Sequence, residues 1–478
     1  MKFLDRRWWL IALALAALLI GVPLGAFEYM KHATNQDWIA AEAETDLLDP
    51  RWRLLDIEAD REVIPAGENS ALHIIAMTGA ARDFAVSRAP NYDLLFDNLP
   101  PTAQLNEQQE ELIRRELAKI AKPLDEARRL KDLPKGRFPI TYTDDFFSTV
   151  IPNQQNARAI AEWLQHDAYL LAHQKEFDRA VESCRALMNA GQAMGDEPLL
   201  ISVLIRIALD SMAIRTLERV LAQGQASEGQ LRLMQALLDR EIGTNHFLQG
   251  LRGERAGSRR LCETLRDGKV KMSEVVGSEK LGTAMDRDFD EWLVDTIPYF
   301  ITRFFPEYLR HMNRGIEIAK LPIHAREPEI MAWEAEAKDT ENALIKLLTP
   351  ALKKIHRADC RSQAMLRSAF VAMACERYRL RHKDGAWPAS LNDLVKEKLL
   401  DAIPADPMDN QPIRYRHTKD GIVVYSIGFD RIDNQGNIDR NRFPEDGVDI
   451  GFRLWNVDQR RQAALPPVEL PKEPDGKN

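Results

Sequence analysis

The apolar positions along the chain have three textures. Residues 8–27 (WWLIALALAALLIGVPLGAF) run uncharged for about 20 positions, enough at about 1.5 Å per residue to cross a bilayer core of about 30 Å. This pattern predicts a transmembrane helix at 8–27, with Trp8 and Trp9 as an interfacial anchor and Pro23 near the far end. Lys2, Arg6 and Arg7 precede the span, so the positive-inside rule puts residues 1–7 in the cytoplasm and exports the rest from the inner membrane into the periplasm as a signal-anchor protein. A cleaved signal peptide is the rival reading. Against it, the apolar run is long and Leu24-Gly25-Ala26 is a poor small-x-small site.

Between residues 31 and 382 apolar residues recur at three- and four-residue spacing, which predicts a helical exported domain over 31–362. Over 107–121, Leu112, Ile113, Leu117 and Ile120 share one side, with Glu110–Arg114 and Glu111–Arg115 as i, i+4 pairs outside; Pro123 interrupts. Asn69 or Ser70 is placed to cap the apolar stretch 71–81, and 90–106, with three prolines, reads as a connecting loop. Residues 156–195 predict two antiparallel helices: Ile160, Trp163, Leu164 and Leu170 form one apolar face, and Val181, Cys184, Leu187 and Met188 the other. Their join at 172–180 resembles a tetratricopeptide-type turn, but no 34-residue recurrence follows, so a solenoid is not expected. Further helices are predicted over 199–223 and 228–241. Gly253, Gly257, Gly268 and Gly277 suggest a looser region ahead of the aromatic residues Trp292, Tyr299, Phe300, Phe304, Phe305 and Tyr308.

At residue 385 the texture changes again. Gly385 and Pro388 end a long helix, Ser390 with Asp393 forms a capping-box start, and 413–416 with 422–427 read as a hairpin turning at Lys419-Asp420-Gly421. A last strand is predicted over 449–455. The fold class is therefore mainly α, a multi-helix exported domain with helical hairpins, plus a small C-terminal α+β module with a short antiparallel sheet over 363–455. Residues 456–478, rich in proline and charge, read as a disordered tail.

Composition narrows the partners. The 478 residues hold 65 Lys plus Arg against 73 Asp plus Glu, a net charge of −8. Removing residues 1–27, which carry a net +2, leaves −10, so no nucleic-acid partner is expected. Four cysteines exclude a disulfide-built fold. No His-Glu-x-x-His, Cys-x-x-Cys, G-x-x-x-x-G-K, G-x-G-x-x-G or G-x-S-x-G occurs, which removes the usual zinc, nucleotide and serine-hydrolase signatures, and no catalytic or cofactor-binding residue is nominated.

Several short motifs carry a resemblance. Ala374-Cys375-Glu376-Arg377-Tyr378, Gly385-x-Trp387-Pro388-x-Ser390-Leu391, Asp406-Pro407, Pro412-x-Arg414-Tyr415, Tyr425-Ser426-Ile427-Gly428-x-Asp430 and Asp449-Ile450 resemble the globular part of type II secretion major pseudopilins. The longer chain resembles a group of planctomycete-type single-pass membrane proteins through Asp49-Pro50-x-Trp52, Gly195-Asp196-Glu197-Pro198 and Arg252-Gly253-Glu254-Arg255-Ala256, which implies an architecture and no activity. The N-terminus lacks the Gly-Phe processing site and following Glu of a prepilin, so a polymerising pilin is not implied. Such pseudopilins bind calcium in the loop before the final strand. Here Asp430, Asp433, Asn437, Asp439 and Asp449, with Asn434 and Asp446, crowd that loop, and Ca2+ takes six to eight oxygens. Two readings stand: a calcium site on those five residues, or a solvated, turn-rich loop.

Three further features need a place in the fold. Arg206 and Asp210, one turn apart in an apolar run, suggest a buried ion pair. Arg252, Arg255, Arg259 and Arg260 suggest a basic helical face, solvated or against lipid headgroups. His166-Asp167 and Asp144-Asp145 read as surface polarity. The expected function is that of a membrane-anchored envelope protein acting through protein partners as an interaction or scaffold component; the alternative is an envelope hydrolase with its site in the helical domain.

Overall fold

A computed structural model describes residues 3–277, 294–439 and 447–469. Lys2, Trp292, Pro444 and Asp446 lie outside the described residues. The first helix, α1 (Phe3–Leu48), does not end with the apolar run but continues for another twenty or so residues, through Pro23, into the folded body. It is long and apolar enough to cross a membrane, and none of its most apolar stretch is buried against the rest of the chain.

Two hydrophobic cores organise the body. The larger gathers α3 (Ser70–Ala76), α6 (Glu107–Ala118), α7 (Ala121–Arg129), α8 (Pro152–His173), α9 (Phe177–Gln192), most of α10 (Leu200–Gln223) and α11 (Glu228–Ile242). The smaller lies under the membrane-proximal part and gathers the distal half of α1, α12 (His246–Arg266), α15 (Phe305–Lys320), α16 (Arg326–Asp339) and α17 (Ala343–Leu348). Helix α18 (Leu352–Arg381) belongs to both, with Leu352 and Ile355 in the smaller core and Ala364 to Cys375 in the larger. Between them, α2 (Leu54–Asp60), α4 (Thr78–Asp83), α5 (Tyr92–Phe96), α13 (Met272–Val276) and α14 (Tyr299–Thr302) are short.

Most expected elements are present. Asn69 caps Ala71 N at 3.1 Å, Asn106 and Gln109 form a capping box, and α8 and α9 make the antiparallel hairpin, turning through Lys175 with φ 68°. The short helix α5 lies inside the stretch expected to be a loop. Pro123 falls in the first turn of α7, where a missing N–H costs nothing. The looser region expected from Gly253 is instead continuous helix: Gly253 and Gly257 lie on the face of α12 that meets the Pro198 carbonyl and the Phe146 ring, where any Cβ would overlap them. Close approach, not chain freedom, explains these glycines.

After α18, the capping box at Ser390 starts α19 (Leu391–Lys396), and three strands form an antiparallel sheet in the order β1 (Arg414–Thr418), β2 (Gly421–Ser426), β3 (Ile450–Trp455). Thr418 pairs with Gly421 across the hairpin, and Ser426 with Ile450. Every residue of β2 is buried: Ile422 and Val424 join the larger core, while Val423 and Tyr425 lie on the face toward Gly436. The boundary expected between residues 362 and 363 thus falls inside α18, and the sheet shares its core with the helical body. The described part of the tail, though largely exposed, is tied to the body at three points. Arg460 is 6% exposed and reaches Glu376 with both terminal nitrogens at 2.9 Å, Gln462 N donates to Thr102 O at 2.8 Å, and Val468 N donates to Gln108 Oε1 at 2.9 Å. A fully buried carboxylate at Glu376 requires this second guanidinium beside Arg379, and that demand ties the segment down.

Candidate functional site

Beyond its apolar run, α1 joins the body through ion pairs and aromatic contacts. Beyond residue 30, α1 presents Trp38, Ala41 and Thr45 inward; the Trp38 ring lies 4.2 Å from that of Phe305. Its acidic positions are matched across the interface: Asp37 and Glu44 with Arg310 at 2.8 Å, Glu42 with Arg259 at 2.7 Å, and Asp49 with Arg252 at 2.8 Å and with Arg255. Arg255 is fully buried, 5.1 Å above the Trp52 ring, and donates to Asn313 Oδ1 at 2.8 Å; Asn313 Nδ2 in turn donates to Thr45 Oγ1 at 2.8 Å. Arg260 reaches Asp144 at 3.1 Å. The basic face expected to meet solvent or lipid is therefore neutralised within the protein. Burying a guanidinium demands carboxylate partners, and the end of α1 with the loop at 143–144 supplies them.

Half-buried aromatic residues surround the point where the apolar run ends. Phe27 lies 5.2 Å from Tyr299 and 6.3 Å from Phe300, and Thr34 Oγ1 shares a hydrogen bond with the Tyr299 hydroxyl at 3.3 Å. Phe305 and Tyr308 are core, and the Tyr308 hydroxyl bonds Ser258 at 2.8 Å. The aromatic stretch thus splits between core packing and the base of the span.

The acidic loop closes on its own backbone. Asp430 Oδ1 accepts from Ile432 N at 3.1 Å and Asp433 Oδ1 from Gln435 N at 2.8 Å, two Asx turns. Asp449 accepts from Gly436 N at 2.7 Å and Asn434 N at 3.3 Å, while Asn437 O accepts from Asp449 N at 3.0 Å. Burial raises the Asp449 carboxyl above its usual range, with Asp433 and Asp430 adding to the rise against the opposing pull of those two N–H groups. The loop brings Asp430, Asp433, Asn437 and Asp449 into one neighbourhood, and Asp439 continues along it toward the end of the described segment. Among the described residues no three His, Cys, Asp or Glu side chains converge as a metal-binding group. Within the described loop, the carboxylates of Asp430, Asp433 and Asp449 accept from backbone N–H groups and shape its turns.

Compared with known proteins, the chain matches no family model, no curated protein and no solved structure.

A polar cleft of about 190 Å³ opens where Gly136, Gly195 and the end of α11 meet. Arg206 does not pair with Asp210. It forks onto Glu241 from the next helix at 2.7 and 2.6 Å and also donates to Gly195 O at 3.1 Å. His246 Nε2 meets Glu241 at 2.9 Å. Burial alone would raise the Glu241 carboxyl, but Arg206 and His246 outweigh it and hold it well below the usual range. Asp210, by contrast, is pushed well above its ordinary value by burial and by the neighbouring Glu241 charge. Proximity decided the partner: the Arg206 guanidinium reaches across to α11, a neighbour that one helix's periodicity does not reveal. His166 and Asp167, read as surface polarity, are buried. His166 bonds the Tyr92 hydroxyl at 2.8 Å and Glu162 O at 2.7 Å, while Asp167 accepts from Arg128 at 3.0 Å and Ser183 at 2.6 Å. All four cysteines are free and buried, and burial pushes each thiol up, away from reactivity.

The residues that carry the pseudopilin resemblance act as joints in this chain. Asp406 accepts from Met408 N at 2.9 Å, Ser426 Oγ at 2.7 Å and Ile427 N at 3.1 Å and pairs with Arg414. The Tyr415 hydroxyl donates to Pro388 O at 2.7 Å, and Trp387 Nε1 donates to Asn456 Oδ1 at 2.8 Å.

Proposed function

We propose that the protein is a scaffold of the cell envelope, anchored in the inner membrane by α1 with residues 1–7 in the cytoplasm and the helical body exported, where it holds protein partners at a set height above the bilayer. One observation carries this reading: span and body share an uninterrupted helix whose inner flank is clamped by Arg259, Arg310, Arg252 and Arg255. A helix so clamped transmits position and orientation, whereas a flexible stalk would serve to free an ectodomain from the membrane. The hydrolase reading finds its best place in the cleft at Glu241. There both carboxylate oxygens are already taken by Arg206 and His246, a saturated set that supports packing rather than proton transfer.

Cross-linking in intact membranes, followed by detergent extraction and mass spectrometry, tests the scaffold role. Discrete partners are expected with the native chain, and their yield is expected to fall when a flexible Gly-Ser insertion after Lys31 uncouples span from body. Recovery of the protein alone, or partners indifferent to the insertion, would overturn the proposal.

A further inference from the structure

An open groove of about 630 Å³ lies between α4, the 85–88 turn and the amino end of α8, with Met212 of α10 in its lining. Its lining is basic. Many arginines of the chain are matched by carboxylates, among them Arg61 by Glu58 and Asp196, Arg128 by Asp125 and Asp167, and Arg310 by Asp37 and Glu44. In the groove, Arg82, Arg88 and Arg158 have no ion-pair partner among the described residues; Arg88 donates only to the Arg82 carbonyl, at 3.3 Å. Glu162 is the single acidic lining residue, and its carboxylate accepts from Ser87 N at 2.6 Å. The groove therefore carries a net charge of about +2 on a protein that is acidic overall.

One further feature adds to the same field. The amino end of α8, 22 residues long, enters the groove through Pro152, Gln155 and Asn156, and its N-cap residue Ile151 offers no capping side chain, so the positive end of the helix faces the cavity. Apart from Thr78, the remaining lining is apolar: Ala81, Ala85, Ala159, Pro152 and Met212.

We infer that this groove binds a diphosphate-bearing ligand, with Arg82, Arg88 and Arg158 on the phosphate oxygens at the amino end of α8. Planar guanidiniums match phosphate oxygens bidentately. A net charge of about +2 suits two phosphates better than one carboxylate, and the volume lies in the range of small-ligand sites. The apolar lining leaves room for a hydrocarbon substituent, so the diphosphate comes either as a soluble ester or at the end of a lipid chain.

Calorimetry on the full chain in phosphatidylcholine nanodiscs tests the site with two probes, inorganic pyrophosphate and farnesyl diphosphate. Pyrophosphate is expected to bind once per chain and to weaken as salt is raised. The Arg88→Gln/Arg158→Gln variant, whose exposed side chains leave the melting midpoint unchanged, is expected to bind at least tenfold more weakly. Glu162→Gln is expected to bind more tightly. Farnesyl diphosphate binding more than tenfold tighter than pyrophosphate assigns the site to a lipid-linked ligand, and equal affinity to a soluble one. No binding of either probe at low salt, or undiminished binding by the double variant, would overturn the assignment.

Discussion

Individual side chains in this protein are governed by how completely burial is answered by a partner. Glu376 is answered fully by Arg379 and Arg460, and Arg255 by Asp49 and Asn313 at every nitrogen but Nε. Glu254, beside Arg255, is not: its carboxylate accepts only Leu200 N at 3.3 Å, and burial pushes its pKa up from 4.5 to about 7. A carboxyl raised in the folded state contributes stability that is complete below its unfolded pKa and is lost as pH rises through the folded one. Between about pH 4.5 and 7 and beyond, the native chain should therefore lose stability that Glu254→Gln keeps. Urea unfolding at pH 8.5 should show the variant more stable by on the order of 1–3 kcal/mol, with the two chains equal near pH 4. The opposite sign applies to His311, stacked on Trp333 with ring centroids 4.2 Å apart and held down to about 4 chiefly by burial. Its contribution is present above about pH 6.5 and fades as pH falls toward 4. The surrounding residues were legible as helical positions; that these two would be stranded was not, because their partners come from other elements.

Among the elements, α12 shows best why a local reading misleads. Glycine weakens an isolated helix by about 1 kcal/mol relative to alanine, so Gly253 and Gly257 argue locally for a break. Packing reverses the argument, since those two positions let Pro198 and Phe146 reach the helix backbone. Gly253→Ala should therefore destabilise despite its better propensity, by about 1–3 kcal/mol after overpacking, read as a lower urea midpoint with an unchanged slope. Gly79, inside α4 with nothing near its Cβ position, serves as the control. Helix α18 teaches the converse: its 30 residues were readable as helix, but not that it would join both cores and erase the boundary expected at its middle.

For the molecule as a whole, the chain end locks the last strand and α18 to α10. Arg460 donates to Glu376 and to Gly224 O at 2.8 Å, and Arg461 donates to Ala172 O and His173 O at 3.1 and 2.6 Å. Arg460→Met strips one of two guanidiniums from a carboxylate that those cations hold well below the usual range against its burial. The expected cost is about 2–4 kcal/mol, measured as a fall in melting midpoint, and Glu376→Gln/Arg460→Met should lose less than the sum of the single variants. Additive losses would mean that the two side chains do not act as a unit.

Periodicity and composition by themselves determined the long apolar helix over 8–27, the mainly helical body, the α8–α9 hairpin and the three-stranded meander, because each depends on the spacing of apolar residues within one element. Only the tertiary structure decided that this apolar helix runs unbroken into the body, that Arg206 belongs to Glu241 rather than Asp210, that the arginines of α12 close onto the foot of α1, and that Asp430, Asp433 and Asp449 accept from the backbone of their own loop. These are matters of which charge lies next to which across elements distant in sequence. One-dimensional patterning carries no such information, and desolvation makes the pairing obligatory once the elements meet.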